Sequence, residues 1–260
     1  QTLHNVKWVC VDGAFFRHTK FCDKCLKKSP IWGVFHGCAR GYVKSLMNYV
    51  FTQLFLKINS RYKLIDTFIA VSEYIRDVHV KAGFEGDSIV VKYNSRKFFR
   101  PDETSIKSDL DYRGVRYVVF AGRISNAKGA RILSYLISHS TFAMKIIGDG
   151  PELPRLKLLV RETGRKNVEF LGVLDHNETV NQISKSEVVL VPSQCGEAFS
   201  LVAAEAMLHG IPIVASNVGG LAEIVSKSRS GFIIEKEDFT GFEVAIKRIF
   251  RDKKVDINIG

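Results

Sequence analysis

From Val115 onward, short apolar runs alternate with stretches of helical periodicity. The runs cover Val115–Ala121, Ala143–Ile147, Val168–Leu171, Val188–Val191, Ile211–Ala215 and Phe232–Ile234. Such runs carry no polar alternation, and most stop at Gly or Pro, which is the pattern of parallel strands covered on both faces. Strands that alternate with helices imply right-handed βαβ units. The first hundred residues are less regular. Val6–Val11 reads as strand-like, Gly41–Leu64 as a long helix, Leu64–Val71 as a buried strand and Glu73–Ala82 as a helix. Asp87–Tyr93 follows as a strand, with Asn94 in a turn. The polar segment Pro101–Arg113 reads as linker. The expected class is α/β, in three parts: 1–100, a linker over 101–113, and 114–260.

The Gly41–Leu64 stretch supports two readings. Leu46, Tyr49, Val50, Phe51, Leu54, Phe55 and Ile58 are apolar, and Lys44, Lys57, Arg61 and Lys63 are basic. That suits an interfacial helix with a cationic rim, and it suits a core-facing helix with a solvated face. The expectation is core packing, with the basic residues reaching an anionic surface.

Charge adds to this. The chain of 260 residues has a net charge of +11. Residues 1–100 hold 17 Lys/Arg and 7 Asp/Glu, a net of +10, and the remaining residues hold 21 and 20. An anionic partner should therefore meet the first part, be it nucleic acid, an anionic membrane or a phosphorylated lipid. At 46% hydrophobic and 25% charged residues the composition is globular. No apolar run is long enough to span a bilayer and no signal peptide is visible. A chain that starts on Gln1 reads as a fragment or a trimmed form. Cys10, Cys22, Cys25 and Cys38 form a local cluster with one CxxC pair. Reduced, partly buried thiols and a tetrahedral zinc site are both open readings.

Val188–Val225, VVLVPSQCGEAFSLVAAEAMLHGIPIVASNVGGLAEIV, carries the chemistry. A strand ends at Pro192-Ser193, and Ser200 is placed to cap a helix over Leu201–His209, which Gly210 ends. Free amides at Ala198, Phe199, Ser200 and Leu201 would cradle a phosphate at that helix start. Glu197 and Glu205 flank them. Glu205 lies among alanines, where an unpaired carboxylate is costly, and hydrogen bonds to a polyol would account for both acids. Gly122-Arg123 ends one strand and Lys128-Gly129 opens the next helix, so two cations sit at the mouth of the sheet, as a diphosphate clamp requires. Gly148-Asp149-Gly150-Pro151 is a tight turn at the next strand end. Asp109-Leu110-Asp111 is a literal DxD in a polar linker and reads as solvated charge.

Glu197-x7-Glu205 with EAMLHGIPIVASNVGGLAEIV, the GR…KG pair and the GDGP turn resemble the family 4 retaining glycosyltransferases with the GT-B fold. The likeness is close over 115–250 and looser before that. It implies two Rossmann-like domains, the first incomplete, and transfer of a sugar from a nucleotide-sugar to a glycan or lipid-linked acceptor. Arg123 and Lys128 would hold the diphosphate, Glu197 the donor sugar and Glu205 the ribose. Gly148, Asp149 and Gly150 would line the nucleotide pocket with Gly122, and Leu174 would lie in the segment that contacts the base. His4 matches a His close to the transferred sugar, and Asn94 matches a cleft residue. Cys-bearing loops of this kind occur in some members near the acceptor side.

The resemblance implies neither metal nor cofactor, no nucleic-acid partner, and a cytoplasmic protein at the membrane face. The alternative is a nucleotide-sugar-binding module, or a GT-B relative such as a sugar-nucleotide epimerase, without transferase activity.

Overall fold

The computed structural model describes residues 1–62, 64–94 and 116–251. The linker 101–113, its Asp109-Leu110-Asp111 and the Val115 strand start lie outside the described residues.

The chain from Arg116 builds one six-stranded sheet. Its strands are β6 (Tyr117–Ala121), β7 (Ala143–Ile147), β8 (Val168–Gly172), β9 (Val188–Val191), β10 (Ile213–Ser216) and β11 (Gly231–Ile234). They lie in the order β11-β10-β9-β6-β7-β8, all parallel. The order reverses direction at β6, the topology in which ligands bind beyond the carboxyl ends of the strands. Connecting helices are α5 (Ala130–His139), α6 (Leu153–Glu162), α7 (His176–Ser184), α8 (Leu201–Leu208), α9 (Gly219–Ser228) and α10 (Phe239–Arg251).

The pleat sorts the strand residues into two cores. Val118, Phe120, Ile146 and Leu190 face α5, α6 and α10 through Leu133, Leu156, Phe242 and Ile246. Val119, Ile147, Val189 and Val191 face α7, α8 and α9 through Ile183, Ala203, Ala206 and Leu221. All six expected strands are present, with ends shifted by no more than two residues.

The first part is smaller. Strands β1 (Thr2–Leu3), β4 (Phe68–Ala70) and β5 (Ile89–Val91) form a parallel sheet in the order β1-β4-β5. A hairpin of β2 (Phe16–Arg17) and β3 (Lys20–Phe21) leads to α1 (Lys24–Lys27), α2 (Ile31–Phe35) and α3 (Tyr42–Tyr62). Helix α4 (Glu73–Lys81) joins β4 to β5 and is capped by Ser72, whose hydroxyl accepts the amide of Ile75.

Two expectations are corrected. Val6–Val11 is not a strand. It folds back as a turn, in which the amides of Val9 and Cys10 both donate to the carbonyl of Val6, at 3.0 and 2.7 Å. That buries Val6 and Val9 without any sheet partner. Nor does α3 pack its apolar side into a core: Val43, Met47 and Phe51 are each about two-thirds or more exposed. Cys10 and Cys25 are buried, free and hydrogen-bonded to each other. Chiefly that bond holds Cys10 down at about 6 and pushes Cys25 up. Among the described residues no group of three or more His, Cys, Asp or Glu side chains is arranged to hold a metal ion.

Candidate active site

The carboxyl ends of β6, β7 and β8 are laced backbone to backbone. The amide of Gly122 donates to Ile147 O at 3.0 Å, that of Gly148 to Gly172 O at 2.6 Å, and that of Ile124 to Asp149 O at 2.8 Å. Gly148 has φ +123°, and a side chain there would overlap the carbonyl oxygen of Gly122. Only glycine permits both that dihedral and that approach. The Asp149 carboxylate accepts the amide of Gly150 at 2.7 Å, closing its own turn. Arg123 is exposed beside Gly122, at the end of β6.

Lys128 ends a single turn of 3₁₀ helix, Asn126–Lys128. That turn is pinned to the loop after β9, because Gln194 N donates to Ala127 O at 2.8 Å. The ammonium of Lys128 pairs with Oε1 of Glu197, and the same oxygen accepts the Ser193 hydroxyl at 2.5 Å. Burial works against charge on Lys128, and the neighbouring Glu197 carboxylate reverses this, so its pKa lies above the ordinary lysine value. Burial, with Glu197 next, pushes the nearby Cys195 thiol up to about 11. The loop therefore holds an ammonium–carboxylate pair beside a neutral thiol.

This loop is gripped from two sides. From the first part of the chain, Ala14 O accepts the amide of Gly196 at 3.0 Å, and the Ser72 hydroxyl donates to Ala198 O at 2.6 Å. From the second, Gly220 N donates to Glu197 O at 2.8 Å, and side chains at Gly219 or Gly220 would overlap the carbonyls of Glu197 and Ala198. Ser200 caps α8 by accepting the amide of Ala203 at 3.3 Å. Among the described residues, the amides of Ala198, Phe199, Ser200 and Leu201 donate to no protein acceptor. Those donors and the Lys128 ammonium thus surround one carboxylate-bearing loop, a setting for an anion and for hydroxyl groups.

Glu205, 5% exposed, sits in α8 with its Oε1 3.6 Å from Nδ1 of His176, at the start of α7. Leu174, just upstream of that helix, packs against the α7–α9 core. His176 went unnoticed in the sequence. The Asp175-x-x-Glu178 start signal, in which Asp175 accepts the amide of Glu178 at 2.8 Å, would have placed it at the carboxyl end of β8. His4 is exposed directly after β1, and Asn94 is partly buried three residues beyond β5. Among the described residues neither is hydrogen-bonded to the Glu197 loop.

A contact that no motif signals joins the two parts. The Glu223 carboxylate accepts the amides of Glu73 and Tyr74 at 3.1 and 3.0 Å and the Tyr93 hydroxyl at 2.6 Å. Lys227 donates to the Tyr93 oxygen at 2.6 Å and pairs with Glu223 at 3.3 Å.

The family model for glycosyl transferases group 1 matches residues 102–260, more than half of the chain and all of the six-stranded sheet. The chain belongs to the glycosyl transferases group 1 family. This group 1 chain is 28% identical over 195 residues to an uncharacterized glycosyltransferase of Methanocaldococcus jannaschii, covering 75% of the chain and 52% of that protein. It is 31% identical over 158 residues to the D-inositol 3-phosphate glycosyltransferase of Corynebacterium jeikeium, covering 56% of the chain and 38% of that protein. Among solved structures it resembles Anabaena HepE in complex with UDP-glucose, at a TM-score of 0.65 and 24% identity, covering 80% of this chain and 60% of that one. It also resembles the sucrose-phosphate synthase of Thermosynechococcus elongatus, at a TM-score of 0.62 and 26% identity, covering 75% and 51%. The chain spans about half the length of the first curated relatives it matches. The fold is the α/β GT-B arrangement of parallel Rossmann-like sheets.

Proposed function

We propose that this protein is a retaining, metal-independent glycosyltransferase that moves a sugar from a nucleotide-sugar to a glycan or lipid-linked acceptor. The observation that carries the reading is the Lys128–Glu197 pair at the rim of the amide cluster Ala198–Leu201. The solved complex of HepE with UDP-glucose supports the donor class.

In this reading the donor diphosphate docks on the Ala198–Leu201 amides, with Arg123 closing from the β6 end, and competes with Glu197 for Lys128. Glu197, so released, accepts hydrogen bonds from the donor sugar, and Glu205 takes the ribose hydroxyls. The bond from the anomeric carbon to the diphosphate oxygen breaks. The acceptor hydroxyl oxygen bonds to that carbon on the same face, and its proton passes to the departing diphosphate. Charge grows on the leaving group, so preorganised cations and amides supply the main stabilisation, on the order of several kcal/mol per donor. His4 and Asn94 would serve the acceptor side. The basic first part supports peripheral contact with an anionic membrane on the cytoplasmic side.

The test is calorimetric titration and slow hydrolysis with UDP-, GDP- and ADP-sugars. At least one should bind, and Lys128→Ala should weaken it about tenfold or more. Absence of binding by all three, or an unchanged affinity in the variant, overturns the site.

A further inference from the structure

Cys10 and Cys25 are well separated in sequence but lie side by side in the core of the first part. Both thiols are free, at 6% and 8% exposure, and the Cys25 thiol donates a hydrogen bond to the Cys10 sulfur. Their surroundings meet as well: a side chain added at Gly33 would strike Val11 at 2.7 Å and touch the Cys25 sulfur at 3.4 Å. Two thiols in contact need only a short approach to reach the disulfide separation of about 2 Å. The pair is also chemically uneven. The hydrogen bond from Cys25 is the main cause that holds Cys10 down at about 6, so Cys10 is the thiolate and Cys25 keeps its proton. The sugar transfer proposed above uses neither.

The chain between the two sulfurs carries a grip on the Glu197 loop. The β2–β3 hairpin lies in this interval, and the amide of Cys22 donates to Phe15 O at 2.8 Å. Phe15, 1% exposed, holds a φ of +49°, a left-handed backbone that is costly for a bulky residue. Ala14 O accepts the amide of Gly196 at 3.0 Å, and a side chain at Gly196 would meet the Phe15 ring at 3.4 Å. A bond from Cys10 to Cys25 would enclose Ala14 and Phe15 in one ring over residues 10–25. Such a ring restricts the segment that holds Gly196.

We propose that Cys10 and Cys25 are a reversible disulfide modification site, and that the bond tightens the grip of Ala14 on Gly196. The proposal goes beyond sugar transfer and stands independently of it. Burial of the pair selects a small oxidant, hydrogen peroxide. The Cys10 thiolate attacks one peroxide oxygen, the O–O bond breaks, and hydroxide leaves a sulfenic acid behind. Cys25 gives up its proton and its sulfur attacks that of Cys10. The S–O bond breaks, the S–S bond forms and a second hydroxide leaves. Each hydroxide takes up one of the two thiol protons. Two thiols are thus oxidised by two electrons, and the peroxide is reduced to two waters. A small dithiol reverses the bond by exchange.

The experiment treats the whole chain with hydrogen peroxide, counts free thiols by alkylation and maps the bond in a digest by mass spectrometry. Two of the five thiols should be lost. The digest should link Cys10 to Cys25, and dithiothreitol should restore both. Cys25→Ser should leave Cys10 as a sulfenic acid that dimedone traps. Cys22→Ser, outside the buried pair, should form the bond as the parent does, so the test stands even where a serine in the core unfolds the chain. Hydrogen exchange read by NMR then reports the grip. The Gly196 amide should exchange about threefold or more slowly in the oxidised chain. The Val189 amide, held by Pro212 O in the six-stranded sheet, should not change. No thiol lost, a bond to Cys22 or Cys38 instead, or exchange at Gly196 that is unchanged or faster would each overturn the proposal.

Discussion

Helices α3 and α10 are both rich in aromatic, aliphatic and basic residues, yet they bury opposite sides. In α10, Phe242, Ala245, Ile246 and Ile249 are buried against the sheet, and Lys247 lies outward, paired with Glu243 at 2.7 Å. In α3, among the described residues, the buried position is a serine, and Val43, Met47 and Phe51 are exposed. Composition is shared, so it does not decide which side turns inward, but the pattern differs: α10 gathers its apolar residues on one face far more than α3 does. The neighbours differ too. α10 meets a sheet lined by Val118 and Val214, whereas α3 lies against α2 and the short turn Val6–Val11, where the Val11 carbonyl accepts from Asn48.

Substitutions can break or sharpen this contrast. The largest effect belongs to the buried side of α10. Ile246→Ala should cost about 2–5 kcal/mol in denaturant unfolding, through lost burial and a cavity in the core. A cost near zero would mean that α10 is no better seated than α3. An intermediate effect is expected where the two parts meet. Glu223→Ala removes the acceptor for two amides at the start of α4 and for Tyr93, and should cost about 0.5–2 kcal/mol. Burial opposes charge on Glu223, but Tyr93 and the backbone amides of Tyr74 and Glu73 outweigh it, holding its pKa below the ordinary glutamate value. Its contribution is therefore present above that ordinary value and is lost as pH falls through the lower, folded one. Glu223→Gln should flatten the acid limb of stability against pH, and an unchanged limb would refute the assignment. The smallest effect is reserved for the exposed side of α3. Leu46→Ala should change stability by less than about 0.5 kcal/mol, and a larger loss would show that this side is covered within the chain.

The same contrast separates what the residues alone reveal from what they hide. The six strands from Tyr117 onward are legible because runs such as Val188–Val191 are buried on both faces, and short continuous apolar runs between turn residues fit little besides a covered strand. The Glu197 loop is legible because its glycines and serine cap are local features. Val6–Val11 misleads because five apolar residues around one lysine fit a buried turn as well as a strand, and only Val6 O taking two amides separates them. The pairings Ser72–Ala198 and Glu223–Tyr74 span 126 and 149 residues. No periodicity encodes a contact at that separation. Lys128 and Glu197 are each expected, from the sequence, to touch a donor. That they meet each other follows from the 3₁₀ turn being pinned at Ala127, which no residue pattern announces.

The first three amides of α4 have unusual custodians. Those of Glu73 and Tyr74 end on Glu223, and that of Ile75 ends on a Ser72 hydroxyl whose own proton is committed to Ala198. A hinge that swung the two sheets apart would therefore strip the helix of its tether to Glu223 and Ala198 in the same stroke. Solvent deuterium at Glu73 and Tyr74 would then clock the breathing of the whole molecule, a stopwatch fitted by the fold at its own joint.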